Sequence, residues 1–272
     1  MASIGPTAFY TGEVWARNGL SHPELSRPEG WLMHTALAPS FAVSRALGGP
    51  TLDGMLLARH VVIDALLEEA IDEGRVGQVL EVAAGMSPRG WRFTERHRDL
   101  VYVEADLPEM AARKREALER IGRPDTHRVV ELDALTDEGP LSLEAVAERE
   151  LEEGAGLAII TEGLLSYLPR APVLSLWSGF AATIARSGGG VYLSDLHVDS
   201  DTAPLVSRIF AGVLSAFVLG PVRLHFADAE EARDELLHAG FDDASVEPVS
   251  EHPQGASRPG AEHVRVVRAT VG

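Results

Sequence analysis

Val76-Gly77-Gln78-Val79-Leu80-Glu81-Val82 reads as a buried strand that breaks at Ala83-Ala84-Gly85-Met86-Ser87-Pro88 and passes into a helix from Arg89 to His97. The alternation then repeats. Leu100 to Glu104 is a second strand, followed by a charged helix from Pro108 to Ile121. His127 to Leu132 is a third strand, before a helix from Leu141 to Glu153. Gly156 to Thr161 and Gly190 to Ser194 are a fourth and a fifth, separated by a helix from Ala171 to Ala185. Strands alternating with helices of this length predict βαβ units and an α/β fold, a mostly parallel sheet with helices on both faces. A helix from Asp228 to His238 and two last strands, Ala244 to Val249 and His263 to Thr270, add a hairpin that makes an antiparallel edge on a seven-stranded sheet.

Upstream, Leu56, Ile63, Leu66, Leu67 and Ala70 recur at helical spacing and predict a helix from Leu52 to about Asp72, ended by Gly74. Residues 1 to about 50 show weak periodicity and read as an arm or short helices. The expected organisation is an arm and helical cap over 1–74 and a Rossmann-like ligand-binding domain over 75–272, with an apolar insert at about 200–226. The insert is broken by Arg208, two glycines and prolines near both ends, so it predicts a buried or pocket-lining helix and not a membrane span.

Composition narrows the partners. The chain has 272 residues, 45% hydrophobic and 24% charged, as an ordinary globular protein does. Forty-one acids against 24 bases give a net charge of −17, which repels a phosphate backbone and excludes nucleic acid as the expected partner. The absence of cysteine removes disulfides, thiolate metal sites and a cysteine nucleophile, and fits a cytoplasmic protein. No metal site is expected. Met1 to Tyr10 has neither a basic nor an apolar signal region. The expected partner is a small-molecule acceptor, with no membrane, for a monomer or homodimer.

In an open α/β sheet, ligands bind beyond the carboxyl ends of the strands. Here the first end carries Gly85 in its turn, and the next three carry Glu104 and Asp106, then Asp133, then Glu162. An acid at the second tip can accept hydrogen bonds from a ribose diol; one at the third can accept from an adenine amino group; one at the fourth can offset a positive ligand group. Pyrophosphate cofactors want glycines and free amides in the first turn, but this turn has one glycine, and Pro88 removes an amide. A sulfonium nucleoside carries no phosphate. The pattern therefore favours S-adenosyl-L-methionine over NAD.

Three segments then carry a family resemblance: Val79 to Gly90, Tyr102-Val103-Glu104-Ala105-Asp106-Leu107-Pro108, and Glu162-Gly163-Leu164-Leu165-Ser166-Tyr167-Leu168. Together they resemble the leucine carboxyl methyltransferase superfamily, and within it the bacterial branch of tetracenomycin-type polyketide carboxyl O-methyltransferases. Pro6-Thr7-Ala8-Phe9-Tyr10-Thr11-Gly12, with Trp15, Arg17 and Asn18, resembles that branch as well. The resemblance implies a class I methyltransferase fold with an N-terminal helical cap. It implies that Arg59 binds the methionine carboxylate of S-adenosyl-L-methionine and that Ala83 and Gly85 lie against its methionine part. Asp106, with Glu104 as competitor, would hold the ribose, Asp133 and Ala134 the adenine, and Glu162 the methionine amino group. Ala83 stands where the family often has glycine.

Methyl transfer from a sulfonium needs an aligned nucleophile and no metal. A carboxylate acceptor is already ionised at neutral pH, whereas a phenol, with an ordinary pKa of about 10, gains from a base. His197, after the fifth strand, is the best-placed base, with His60 behind it, and Tyr167 could face the acceptor. Tyr10, Trp15 and Arg17 from the arm, and Phe210, Leu214 and Phe217 from the insert, would form an apolar acceptor pocket. The expected activity is O-methylation of a carboxylate or hydroxyl on a hydrophobic, polyketide-like small molecule, yielding S-adenosyl-L-homocysteine. The alternatives are methylation of a protein C-terminal carboxylate and a non-catalytic cofactor-binding module.

Overall fold

The computed structural model describes residues 5–46, 51–201 and 223–272. Seven strands form one sheet in the order β3-β2-β1-β4-β5-β7-β6. They are β1 (Gln78–Val82), β2 (Val101–Asp106), β3 (His127–Glu131), β4 (Leu157–Thr161), β5 (Gly190–Leu196), β6 (Asp243–Pro248) and β7 (Arg265–Val271). β1 to β5 run parallel, and β7 lies antiparallel to both β5 and β6. The expected hairpin edge is therefore present. β1 and β4 are buried along their whole length, which is why they read as near-continuous apolar runs and not as alternating ones.

Alternate residues feed two cores. Leu80, Val82, Val103 and Ile159 pack against Trp177, Phe180 and Ile184 of α7 (Arg170–Arg186) and Leu236 of α8 (Ala229–His238). Val79, Tyr102, Ala158 and Ile160 pack on the other face against Val62, Ile63 and Leu67 of α3 (Leu52–Asp72) and Phe93 of α4 (Arg89–Arg96). α5 (Pro108–Ile121) and α6 (Leu143–Glu150) complete the βαβ crossovers.

The N-terminal region differs from expectation. In place of an arm or short helices it forms α1 (Gly5–Arg17) and α2 (Pro28–Ala46), joined through a short 3-10 turn at Pro23–Leu25. Phe9 through Trp15 are all buried, so α1 is covered on every side. Gly30 lets α2 cross α1 closely: a Cβ there would sit 2.1 Å from the Phe9 carbonyl oxygen. α1 in turn lies on the β1–α4 turn, where a Cβ on Gly85 would come within 3.0 Å of the Ala8 side chain. β2 also runs to Asp106, two residues beyond the expected end. Phe210, Leu214 and Phe217 of the predicted insert lie outside the described residues. Among the described residues, no helix is long and apolar enough to cross a membrane.

Candidate active site

Sheet register decides which side chains meet. β1 pairs Val82 with Ala105 of β2 and with Thr161 of β4, and β4 pairs Thr161 with Ser194 of β5. The next residue along each strand therefore emerges at one edge: Ala83, Asp106, Glu162 and Asp195 come out side by side. Asp133 follows two residues beyond the pairing of Asp106 with Glu131. All five line a single cavity of about 540 Å³. Thr7, Ala8, Tyr10 and Trp15 of α1 and Leu52, Met55, Leu56 and Arg59 of α3 also line it, and Met110 and Arg113 of α5 flank it.

The β1–α4 turn is shaped for close approach. Ala83 has φ +56°, the left-handed region that costs a residue with a Cβ about 1 kcal/mol or more, which explains why glycine is the usual occupant of such a position. Gly85 follows at φ +51°, and its amide donates to Asp106 Oδ2 at 2.7 Å. The other oxygen of Asp106 accepts from the Leu107 amide at 2.8 Å. Burial nevertheless keeps the Asp106 pKa above its ordinary value, against these two bonds.

Glu162 and Arg59 form the centre of a buried ion-pair layer beneath the cavity. Arg59 Nε donates to Glu162 Oε1 at 3.0 Å, and Nη1 donates to Asp195 Oδ2 at 2.7 Å. Arg89, fully buried, reaches three carboxylates at 2.6 Å each: Asp64, Glu81 and Glu162. Arg92 adds a contact to Asp64 at 2.7 Å. Burial alone would raise the pKa of Glu162, but His60, Arg89 and Arg59 outweigh it and hold the carboxyl well below its usual range. Asp64 is lowered in the same way, with burial overcome by His60, Arg89 and Arg92.

This has a pH consequence. Carboxyls with depressed folded-state pKa values contribute stability that is complete above their unfolded value, near 4, and is lost as pH falls through the folded values. Asp106, with its raised value, works in the opposite sense. Burial lowers the His197 and His225 pKa values, so the urea midpoint should decline modestly as pH falls below the ordinary histidine value, and then fall steeply below about pH 4 as Glu162 and Asp64 are protonated. A midpoint that rises on acidification would contradict the charged state of this layer.

Of the remaining predicted residues, Gly85, Ala134, Tyr167 and His197 line the cavity with Asp133. Two, Glu104 and Arg17, do not line it. Glu104 lies outside the cavity, buried against Lys114 Nζ at 2.8 Å and His127 Nε2 at 3.0 Å, because it sits two residues deeper in β2 than Asp106. Arg17 points away and pairs with Glu13 at 2.6 Å, one helical turn back. Tyr10 does reach the cavity, but its hydroxyl donates to Asp53, and burial together with that carboxylate raises its pKa. Sequence reasoning missed Asp195. It holds both Arg59 and the Gly163 amide, the latter at 2.7 Å, and its place at the end of the fifth strand was the available signal.

Several known proteins are similar to this chain in sequence or in fold. The profile of leucine carboxyl methyltransferases matches residues 24–181, more than half of the chain. A protein of Mycobacterium sp. (strain KMS), named as an S-adenosyl-L-methionine-dependent methyltransferase, is 34% identical over 156 residues, which is 57% of this chain and 48% of that protein. The chain thus spans about half the length of this curated relative. A DUF574 family protein from Streptomyces avermitilis has a TM-score of 0.68 at 12% identity, covering 97% of this chain and 95% of its own. A protein from Thermobifida fusca, named as a methyltransferase, has a TM-score of 0.67 at 15% identity, covering 96% and 93%. At such identities the likeness is one of fold, and the fold is that of the class I methyltransferases. The profile match takes in the first four strands, their cavity-forming tips and the helix that bears Arg59, and the chain belongs to the leucine carboxyl methyltransferase family.

Proposed function

We propose that the protein is an S-adenosyl-L-methionine-dependent O-methyltransferase acting on a carboxylate or hydroxyl of a hydrophobic, polyketide-like small molecule. The observation that carries this reading is the Asp106 carboxylate on the Gly85 amide. The amide that would cradle a phosphate is already taken by an anion, so a pyrophosphate would meet a negative charge there. A ribose diol can instead donate to that carboxylate. Family membership and the shared fold support the same choice.

In this reading Asp106 binds the ribose, and Asp133 and Ala134 bind the adenine. Asp133 Oδ1 is set by the Leu135 amide at 3.0 Å. Ala83 and Gly85 bring backbone close to the methionine part. Arg59 retains guanidinium donors beyond those given to Glu162 and Asp195, and these meet the methionine carboxylate. Glu162 faces the amino group. When bound, S-adenosyl-L-methionine supplies a methyl carbon for in-line attack by an acceptor oxygen held about 3–3.5 Å away. Residues 75–272 carry most of the cofactor contacts, and the cap over 1–74 supplies Arg59 and an apolar wall of Trp15, Leu52, Met55 and Leu56 for the acceptor.

Calorimetry with S-adenosyl-L-methionine and with NADH tests the cofactor. The expected result is binding of the first alone; binding of NADH alone would overturn the proposal. Asp133→Ala should weaken cofactor affinity by about 1–3 kcal/mol through a lost hydrogen bond. Unchanged affinity would remove Asp133 from the adenine site.

A further inference from the structure

We propose that the acceptor is a neutral hydroxyl, phenolic or enolic, and that His197 Nε2 is the base that takes its proton. This rests on the methyltransferase reading above and goes further by choosing between its two acceptor classes.

The first observation is a fixed tautomer. His197 lines the cavity, and its Nδ1 lies 3.0 Å from the backbone carbonyl oxygen of His263. A carbonyl can only accept, so Nδ1 carries the hydrogen and Nε2 keeps a lone pair. The second is the charge of the cavity. Among the described residues that line it, the cations are Arg59 and Arg113, against the carboxylates of Glu29, Asp106, Glu109, Asp133, Glu162 and Asp195. Arg59 is held between Glu162 and Asp195. Arg113 pairs with Glu109 at 2.8 Å and lies over the Phe9 ring. Once the cofactor's carboxylate has met Arg59, Arg113 is the one further cation among the described lining residues, and it sits beside Glu109 at the flank of the cavity. A carboxylate acceptor would have the sulfonium as its counter-charge but would be desolvated among these carboxylates.

A hydroxyl balances. Its O–H bond breaks and the proton goes to Nε2. The oxygen pair forms the new O–CH3 bond, and the C–S pair stays on sulfur. One positive charge leaves the sulfonium and one appears on the imidazolium, so the acidic cavity keeps its counter-charge throughout. Transfer to a carboxylate consumes the acceptor's negative charge and the sulfonium's positive charge together and releases no proton for a base to take. Around His197, Asp195 on its own strand and Asp201 in the following turn favour the imidazolium, and Arg59 of α3 opposes it. Burial is the largest influence and sets the pKa below the ordinary value, so the ring is neutral and able to accept at pH 7.

The test uses naphthol and naphthoate as matched probes on protein saturated with sinefungin, whose amine carries the positive charge that S-adenosyl-L-homocysteine lacks. Naphthol should bind at least about tenfold more tightly, and naphthoate binding equally well or better overturns the inference. Nitrogen-15 NMR of the imidazole, assigned by loss of the signal in His197→Gln, should show the Nδ1–H tautomer and a titration midpoint below the ordinary value. An Nε2–H tautomer overturns it, and decides alone should neither probe bind. With S-adenosyl-L-methionine, His197→Gln should lower kcat for naphthol on the order of 10²-fold with little change in KM. A protein that binds S-adenosyl-L-methionine yet prefers naphthoate loses this inference only, whereas one that binds no S-adenosyl-L-methionine loses the proposed function.

Discussion

Arg89→Met will remove about 3–5 kcal/mol of folding stability in urea titrations at pH 7, a large part of what a domain possesses. The reason lies in what the substitution leaves behind. Arg89 is fully buried and is the shared partner of Asp64, Glu81 and Glu162. Methionine fills much of the volume, so the loss is electrostatic and not that of a cavity. Glu81 is the most exposed to the change. Its carboxylate accepts from Arg89 and from the Tyr102 hydroxyl at 2.7 Å, and a hydroxyl does not neutralise a charge. The variant also has a signature that a packing defect lacks. Its unpaired buried carboxyls acquire raised pKa values, and groups raised on folding contribute stability at low pH that is withdrawn as pH rises. The deficit relative to wild type should therefore shrink between about pH 7 and pH 5. A loss below about 1 kcal/mol, or a deficit independent of pH, would show that the layer does not depend on Arg89. Cofactor binding should weaken as well, because Glu162 loses one of the groups that fix its carboxylate at the cavity floor.

This layer was the least legible part of the sequence. Glu81 sits inside an apolar strand, Asp64 on a helix and Arg89 in the first turn of another. Taken singly, each reads as a solvated residue on an element boundary. Only the sheet brings them together, by laying α3 and α4 on the same face of β1. The tips were legible for the opposite reason. Asp106, Asp133 and Glu162 each stand at or just past the carboxyl end of a largely apolar strand, and in a parallel sheet such residues emerge on one edge whatever the details of packing. Helix α1 escaped because Gly5, Pro6 and Gly12 give the segment the composition of an arm and a weak helical propensity. Arg17 was misplaced for a different reason: its position one turn from Glu13 gave it a local partner that the sequence pattern did not weigh.

Glu104 and Asp106 supply the sharpest contrast, and substituting each should separate folding from binding. The two side chains share a face of β2 and differ by two residues, about 6–7 Å along the strand. Glu104 is fully buried under α4, where a Cβ added at Gly90 would lie 2.7 Å from its Oε1. Its partners Lys114 and His127 are buried too, and the Lys114 ammonium also donates to the Ala84 carbonyl at 3.3 Å. Burial opposes ionisation of Glu104, but Lys114 and His127 hold its pKa below the usual value, so it is a carboxylate at neutral pH. Glu104→Ala strands that ammonium beneath the β1–α4 turn and should cost about 3–5 kcal/mol. Glu104→Gln keeps the shape and the hydrogen-bond acceptor and should recover part of that loss. Asp106→Asn, in contrast, keeps an oxygen for the Gly85 or Leu107 amide and sits at the cavity edge, so its stability should stay within about 1 kcal/mol of wild type. Its calorimetric affinity for S-adenosyl-L-methionine should nevertheless fall by about 1.5–3 kcal/mol, the worth of hydrogen bonds from a ribose diol to a charged acceptor. If Glu104→Ala folded normally and lost the cofactor while Asp106→Asn bound it unchanged, the ribose would belong to Glu104 and the depth of the two acids in the strand would have been misjudged.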